Sequence, residues 1–272
     1  MPAILNISGG RTSGLMLRRV LDAHGGHLPA DVIPVFCNTG REFPQTLDFL
    51  REMERRWACP IVWLEWQKPS RRERRPCFRV VTHETASRDG RPFAELIASK
   101  RCLPDAAKRF CTEHLKVLPT AAFARRMGWR TWDSYVGLRA DEPDRVHRVR
   151  VRAQENDSPW TPVAPLHRDG VTKADVMAFW RAQPFDLQLH PWESNCDLCF
   201  MKSFPVKARL ILDHPGIEAW WAEQEDTVSR GRRRAMFRHG FPVQRFADGV
   251  RAQVRLPILD DDQPAMPCAC TD

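Results

Sequence analysis

Two stretches of the chain carry residue types at spacings that can do chemistry. Ser8-Gly9-Gly10-Arg11-Thr12-Ser13-Gly14 sets adjacent glycines among hydroxyl residues and an arginine. Glycines let a backbone turn tightly against a ligand, and free N–H groups at the start of a following helix attract an anion. Ser8, Thr12 and Ser13 add hydroxyl donors and Arg11 a fixed positive charge, so a phosphate-bearing ligand suits the segment. The competing reading is an ordinary strand-to-helix turn capped by Ser or Thr. The segment matches neither the dinucleotide fingerprint nor the Walker sequence.

The second stretch is Cys196-Asp197-Leu198-Cys199, a Cys-X2-Cys pair that follows Pro191 in a polar setting. A tight turn brings two such sulfurs to one side, where they can share a metal ion or a cluster edge. Spacing alone leaves an iron–sulfur cluster, zinc, a redox dithiol and chance all open. The nine cysteines are irregularly spaced. The first residues show no charged leader and no long apolar run, so a cytoplasmic address and free thiols are expected, not a disulfide framework. Cys37 and Cys59 flank apolar runs and read as buried small residues. Cys77 lies in an arginine-rich, exposed loop that would lower its pKa. Cys268 and Cys270 sit in a terminal stretch that either swings a thiol over the anion site or is simply a loose end.

The elements that must position these groups alternate. Residues 3–7 form an apolar run ended by Ser8-Gly9-Gly10, and 12–24 is amphipathic, which predicts strand, turn and helix. Residues 31–36 predict a second strand that stops at Asn38-Thr39-Gly40. A helix is predicted over 42–57 and a third strand over 61–64. Residues 68–75 read as a charged loop, 106–127 as a helix interrupted at Pro119, and 134–138 as a fourth strand. Residues 144–170 look irregular, and later helices are predicted over 172–181 and 205–213. This alternation implies an α/β fold, a doubly wound parallel sheet with helices on both faces and a cysteine-bearing C-terminal extension. The expected division is a nucleotide-binding domain over 1–203 and a helical extension with a tail over 204–272.

The chain has 272 residues and a formal charge of +8, and no apolar run approaches membrane-spanning length. A positive balance favours anionic partners such as nucleotides, sulfate esters or nucleic acid. The clusters Arg71-Arg72-Glu73-Arg74-Arg75 and Arg230-Gly231-Arg232-Arg233-Arg234 could follow a nucleic-acid backbone, although solvated faces are the commoner outcome. The ten tryptophans are expected mostly in the core.

Five blocks in order resemble the phosphoadenosine phosphosulfate (PAPS) reductase family, within the adenine nucleotide α-hydrolase-like (PP-loop) superfamily. They are the Ser8–Gly14 turn, Thr39-Gly40-Arg41-Glu42-Phe43-Pro44-Gln45-Thr46, Cys111-Thr112-Glu113-His114-Leu115-Lys116 with Pro119, Gly137-Leu138-Arg139-Ala140-Asp141-Glu142 with Arg145, and Val163-Ala164-Pro165-Leu166 with Asp175, Val176 and Trp180. The likeness covers residues 4 to about 203. It implies that Ser8, Gly9, Gly10, Arg11, Thr12, Ser13, Thr39, Gly40, Glu42 and Arg145 hold an adenine nucleotide, either ATP or PAPS. Arg139 and Lys116 would contact phosphate or sulfate, and Asp141 and Glu142 are the carboxylates available for Mg2+ if ATP is the substrate.

The same likeness adds Cys111 to Cys196 and Cys199 as ligands of a [4Fe-4S] cluster, with zinc as the alternative metal and Arg109 as a neutralising charge. Cys102, Cys268 or Cys270 would supply a fourth ligand, or the fourth position would be open. Two departures stand out. Thr12 replaces the Asp usual in ATP pyrophosphatases, and the chain ends in Pro267-Cys268-Ala269-Cys270 where reductases carry a Glu-Cys-Gly-X-His nucleophile motif. The implied activity is ATP-dependent adenylation and sulfur transfer to a nucleic-acid (tRNA or DNA) or small-molecule acceptor, with a thiol or sulfur donor protein as partner. Release of sulfite from PAPS or APS through a Cys268 or Cys270 thiolate is the alternative, and a non-catalytic nucleic-acid-binding module is the third reading.

Overall fold

The computed structural model describes residues 1–72, 76–105, 109–193, 196–228 and 241–252. Six strands form one sheet: β1 (Ala3–Ile7), β2 (Val32–Asn38), β3 (Val62–Trp66), β4 (Phe78–Val81), β5 (Trp132–Val136) and β6 (Trp160–Val163). Their order is β4-β3-β2-β1-β5-β6, and every pair is parallel except β3 with β4. The sheet is therefore α/β and mostly parallel, an order compatible with double winding. The chain leaves β1 toward β2 on one side and returns to β5 on the other, so a crevice opens at the carboxyl ends of β1 and β5.

The helices are α1 (Arg11–Ala23), α2 (Pro44–Trp57), α3 (Arg91–Lys100), α4 (Phe110–Thr112), α5 (Leu118–Arg126), α6 (Pro143–Glu155), α7 (Pro165–Arg168), α8 (Lys173–Arg181), α9 (Phe204–Asp213), α10 (Ala219–Val228) and α11 (Val243–Ala252). They cover both faces, because alternate strand residues point to opposite sides. Leu5, Ile7, Phe36 and Trp63 pack with α1, α2 and α8. Ile4, Val35, Cys37 and Leu64 pack with Ala121, Phe123 and Ala124 of α5. Buried residues of α9, α10 and α11 join the first of these cores. Among the described residues no helix is long and apolar enough to cross a membrane.

Several sequence expectations need correction. Strand β2 runs on to Asn38 and β5 begins at Trp132, two residues before the expected start. Strand β4 and helix α3 were not foreseen, and α10 and α11 fall in the extension expected to be helical, where no individual helix beyond 205–213 was delimited. The stretch 144–170 is ordered as α6, β6 and α7, and Pro143 and Pro165 fall in first helical turns, where a missing N–H costs nothing. Pro119 does not break its helix either, since it sits in the first turn of α5. The irregularity lies just upstream, where Glu113–Val117 forms a π-helical turn. Widening the turn there relieves the clash between a proline ring and the carbonyl four residues earlier.

Candidate functional site

The turn after β1 is shaped by Gly9, whose φ is +79°; a Cβ there would lie 2.4 Å from Thr46 Cγ2. Ser13 closes the turn. Its Oγ accepts the Ser8 N–H at 3.1 Å, lies 3.1 Å from Ser8 Oγ and donates to the Gly10 carbonyl at 3.0 Å. No side chain caps α1 at Gly10. The first amides of a helix have no acceptor within it, so this end suits an anion. Thr46 Oγ1, buried beside the turn, has no hydrogen-bond partner among the described residues.

Arg11 is placed differently from its assignment as a phosphate ligand. Its guanidinium pairs with both oxygens of Asp186 at 2.8 and 2.9 Å and also donates to the Leu187 carbonyl, while its own carbonyl accepts Trp180 Nε1–H at 2.8 Å. Arg11 thus clamps the chain after α8 against the turn.

The loop after β5 meets the same turn. Gly137 has no room for a side chain, because a Cβ would lie 3.0 Å from Ser13 Cα and 3.1 Å from Ser13 N. Arg139 bonds Asp141 at 2.9 Å, lies 3.3 Å from Glu142 and reaches Thr12 Oγ1 at 3.5 Å. Glu142 is buried and also pairs with Arg145. Burial alone would raise the Asp141 pKa, but the bond and charge of Arg139 outweigh it and hold the group below its ordinary range. Both carboxylates foreseen for Mg2+ are therefore already engaged by arginine.

At the end of β2, Thr39 and Glu42 bind each other. Glu42 accepts the Thr39 N–H at 3.0 Å and its hydroxyl at 2.9 Å. Gly40, at φ +80°, donates its N–H to Asn38 Oδ1. Burial pushes the Glu42 pKa up, opposed by the charge of Lys116 and the Thr39 bonds. Glu42 forms an isolated antiparallel bridge with Cys196, and Thr39 Oγ1 lies 4.0 Å from Cys196 Sγ.

Here the Cys-X2-Cys stretch meets the end of β2. Cys111, Cys196 and Cys199 line one cavity with Thr39, Phe93, Thr112, Leu115, Lys116, Phe200 and Trp221. Burial pushes the Cys111 thiol up to about 11, with Cys196 adding to the rise and Lys116 and Arg109 opposing it. Thr112 Oγ1 is buried and has no hydrogen-bond partner among the described residues. Arg41, Asp197, Lys202 and Lys207 hold the Cys-X2-Cys turn in place. Lys202 Nζ donates to the Asp197 carbonyl, and Lys207 Nζ donates to the Phe200 carbonyl at 2.8 Å. Burial pulls the Lys207 ammonium down to about 8, with Cys199 acting in the opposite direction.

Among the described residues no three His, Cys, Asp or Glu side chains are grouped so as to hold a metal ion. The three thiols share a cavity wall without forming a closed ligand set. Cys102 does not line that cavity. Cys268, Cys270, Arg230 and Arg232–Arg234 lie outside the described residues. Cys37 and Cys59 are buried, as expected. Cys77 is half-buried, not exposed, and burial raises its pKa, with Arg125 opposing. Sequence reasoning passed over Phe93, Trp221, Lys202, Lys207 and Asp186, because nothing local marks residues that converge from distant segments.

No protein-family model matches the chain. It is similar to a protein of Escherichia phage lambda described as "Uncharacterized nin region protein ORF290", with 27% identity over 234 residues covering 79% of this chain and 71% of that one.

Proposed function

We propose that this protein is an adenine-nucleotide-dependent enzyme of sulfur chemistry, related to the PAPS reductases within the PP-loop superfamily. The observation that carries the reading is the shared cavity of Cys111, Cys196 and Cys199, which Thr39 and Lys116 line as well. Thr39 follows β2, beside the Ser8–Ser13 turn that follows β1, so thiols and anion-binding amides share one sheet edge.

In the favoured reading ATP lies against the α1 amides. An acceptor oxygen attacks the α-phosphorus, the bond to the β-phosphate oxygen breaks and pyrophosphate leaves. A sulfur nucleophile brought by a donor protein then displaces AMP from the activated acceptor. The α1 amides and Arg139 offset charge that grows on the phosphate oxygens. Lys116 supplies a cation between the nucleotide edge and the thiols.

Among the described residues, those around the cavity do not form a preassembled ligand group, and a thiolate-held centre is supported by their chemistry alone. They offer three soft sulfur donors, the unpartnered Thr112 hydroxyl, and Lys116 and Arg109 within electrostatic reach. Cys111, Cys196 and Cys199 would hold a [4Fe-4S] cluster, which when bound supplies an iron site able to carry sulfur; Zn2+ is the alternative occupant.

A second reading, reduction of PAPS or APS to sulfite, is favoured by one observation. Arg139 and Arg145 engage Asp141 and Glu142, the carboxylates that Mg-ATP would require. The test incubates anaerobically prepared protein separately with ATP and with PAPS and measures pyrophosphate and sulfite. Pyrophosphate from ATP supports adenylation, and sulfite from PAPS supports reduction. If neither forms and the protein binds nucleic acid alone, the enzymatic reading is overturned.

A further inference from the structure

Strand β3 ends at Trp66, and the residues just past it help to enclose a second cavity, of about 460 Å³, together with β4 and α3. Its walls are Gln67, Lys68, Arg79, Glu95, Ala98 and Ser99. That volume falls within the range of roughly 300–1,000 Å³ common for small-molecule sites. Glu95, Ala98 and Ser99 lie three and four residues apart and so share one face of α3, whereas Phe93, Leu96 and Ile97 form its buried face. Phe93 lines the thiol cavity, so the two cavities lie on different faces of α3.

Two wall residues are fixed from behind. Arg79 gives its Nε and one terminal nitrogen to Glu65 at 3.0 and 2.7 Å, and Glu65 is fully buried. Asn38 and the N–H and hydroxyl of Ser87 donate to the same carboxylate, which holds this anchor in place. The other terminal nitrogen of Arg79 has no hydrogen bond among the described residues. The Gln67 amide nitrogen donates to the Pro76 and Phe78 carbonyls at 3.2 and 2.7 Å, which orients its oxygen as an acceptor. Lys68 and Glu95 are exposed and opposite in charge, yet neither makes an ion pair among the described residues.

A ligand here must answer both signs of charge. A plain anion would meet Lys68 and Arg79 but would also face the Glu95 carboxylate. A plain cation would face two positive groups. A zwitterion satisfies all three, and each charge-assisted bond adds orientation as well as affinity. We infer that this cavity binds a small zwitterion of the amino-acid type, free or as a short peptide, with Lys68 and Arg79 taking its carboxylate and Glu95 its ammonium group. The site is independent of the nucleotide reading, because its walls belong neither to the thiol cavity nor to the Ser8–Ser13 turn.

The experiment uses the full chain. Pools of the twenty amino acids, Ala-Ala and Ala-Ala-Ala are screened by saturation-transfer NMR, with inorganic phosphate titrated separately. The best binder is then titrated by calorimetry beside its N-acetyl derivative, against wild type, Glu95→Ala, Lys68→Ala and Ala98→Trp. These side chains are exposed, so the variants should fold, which thermal unfolding checks. Glu95→Ala and Lys68→Ala should each weaken binding about 10-fold, and Ala98→Trp, which fills the cavity, should abolish it. N-acetylation should cost wild type about 10-fold and cost Glu95→Ala nothing further, because the contact is already gone.

The inference is overturned if no amino acid or peptide binds, or if phosphate binds as tightly as the best zwitterion. It is equally overturned if N-acetylation costs Glu95→Ala as much as it costs wild type.

Discussion

Arg41 and Asp197 are joined twice: the Asp197 N–H donates to the Arg41 carbonyl at 2.9 Å, and the Arg41 guanidinium pairs with the Asp197 carboxylate. This double link fastens the Cys-X2-Cys turn to the end of β2, across 156 residues of sequence. Trp221 Nε1 donates to the same carboxylate at 3.0 Å, and Arg41 stacks over Trp220 with its guanidinium carbon 4.8 Å from the ring centre. Thiols and sheet edge are thereby held as one unit.

Removing one partner of a buried pair leaves the other charge uncompensated. Arg41→Ala should therefore destabilise the protein by about 3–5 kcal/mol in urea unfolding. An effect within ~0.5 kcal/mol, the range for an ordinary surface change, would mean that the pair does not hold the turn.

Ser13→Ala removes the hydroxyl that receives the Ser8 N–H and donates to Gly10. Loss of that bond costs roughly 1 kcal/mol of stability. The larger expected effect is loss of ATP or PAPS binding by titration calorimetry, because the turn no longer keeps its shape. Unchanged nucleotide affinity would remove this turn from the site.

Gly137→Ala tests the contact between the two loops that flank the crevice. The new methyl group would press on the Ser13 backbone, which must give by a few tenths of an ångström. Nucleotide affinity should fall, while Gly249→Ala in α11, where nothing lies within 4 Å of the new methyl group, leaves affinity intact. Equal affinities in both variants would show that the approach of Gly137 to Ser13 is not used in binding.

The buried thiols give a pH dependence with a definite sign. Burial pushes the Cys37 thiol up to about 11 from an ordinary value of 9.0, with Thr120 and Lys116 opposing the rise. Between those values the unfolded chain loses a proton that the folded chain keeps, so stability is complete below pH 9 and declines toward pH 11. The group's contribution is about 2–3 kcal/mol. The stability advantage of wild type over Cys37→Ala should shrink by that order across this window. A constant difference would contradict the buried, protonated thiol.

Much of the scaffold could be read from local pattern. The run Ala3–Ile7 ends at glycines and is followed by a helical period, so β1, its turn and α1 were legible. Helix α6 was not, because PDRVHRVRVRAQE carries too narrow an apolar stripe to outweigh its charge. Strand β4 is only four residues long and pairs antiparallel at the sheet edge, leaving little periodic signal. At the site, the turn was visible as a motif, whereas the meeting of Cys111 with Cys196 and Cys199 was foreseen only through family resemblance. The pairing of Arg11 with Asp186 spans 175 residues and had no local signature, so Arg11 looked like a phosphate ligand.

The most direct test of the thiol cavity is anaerobic reconstitution with iron and sulfide, followed by iron analysis of wild type and of Cys111→Ala, Cys196→Ala and Cys199→Ala. The account predicts ~4 iron atoms per wild-type chain, as a [4Fe-4S] cluster requires, and loss of iron in each variant. A wild-type chain that takes up no iron, or variants that keep all of it, would contradict it.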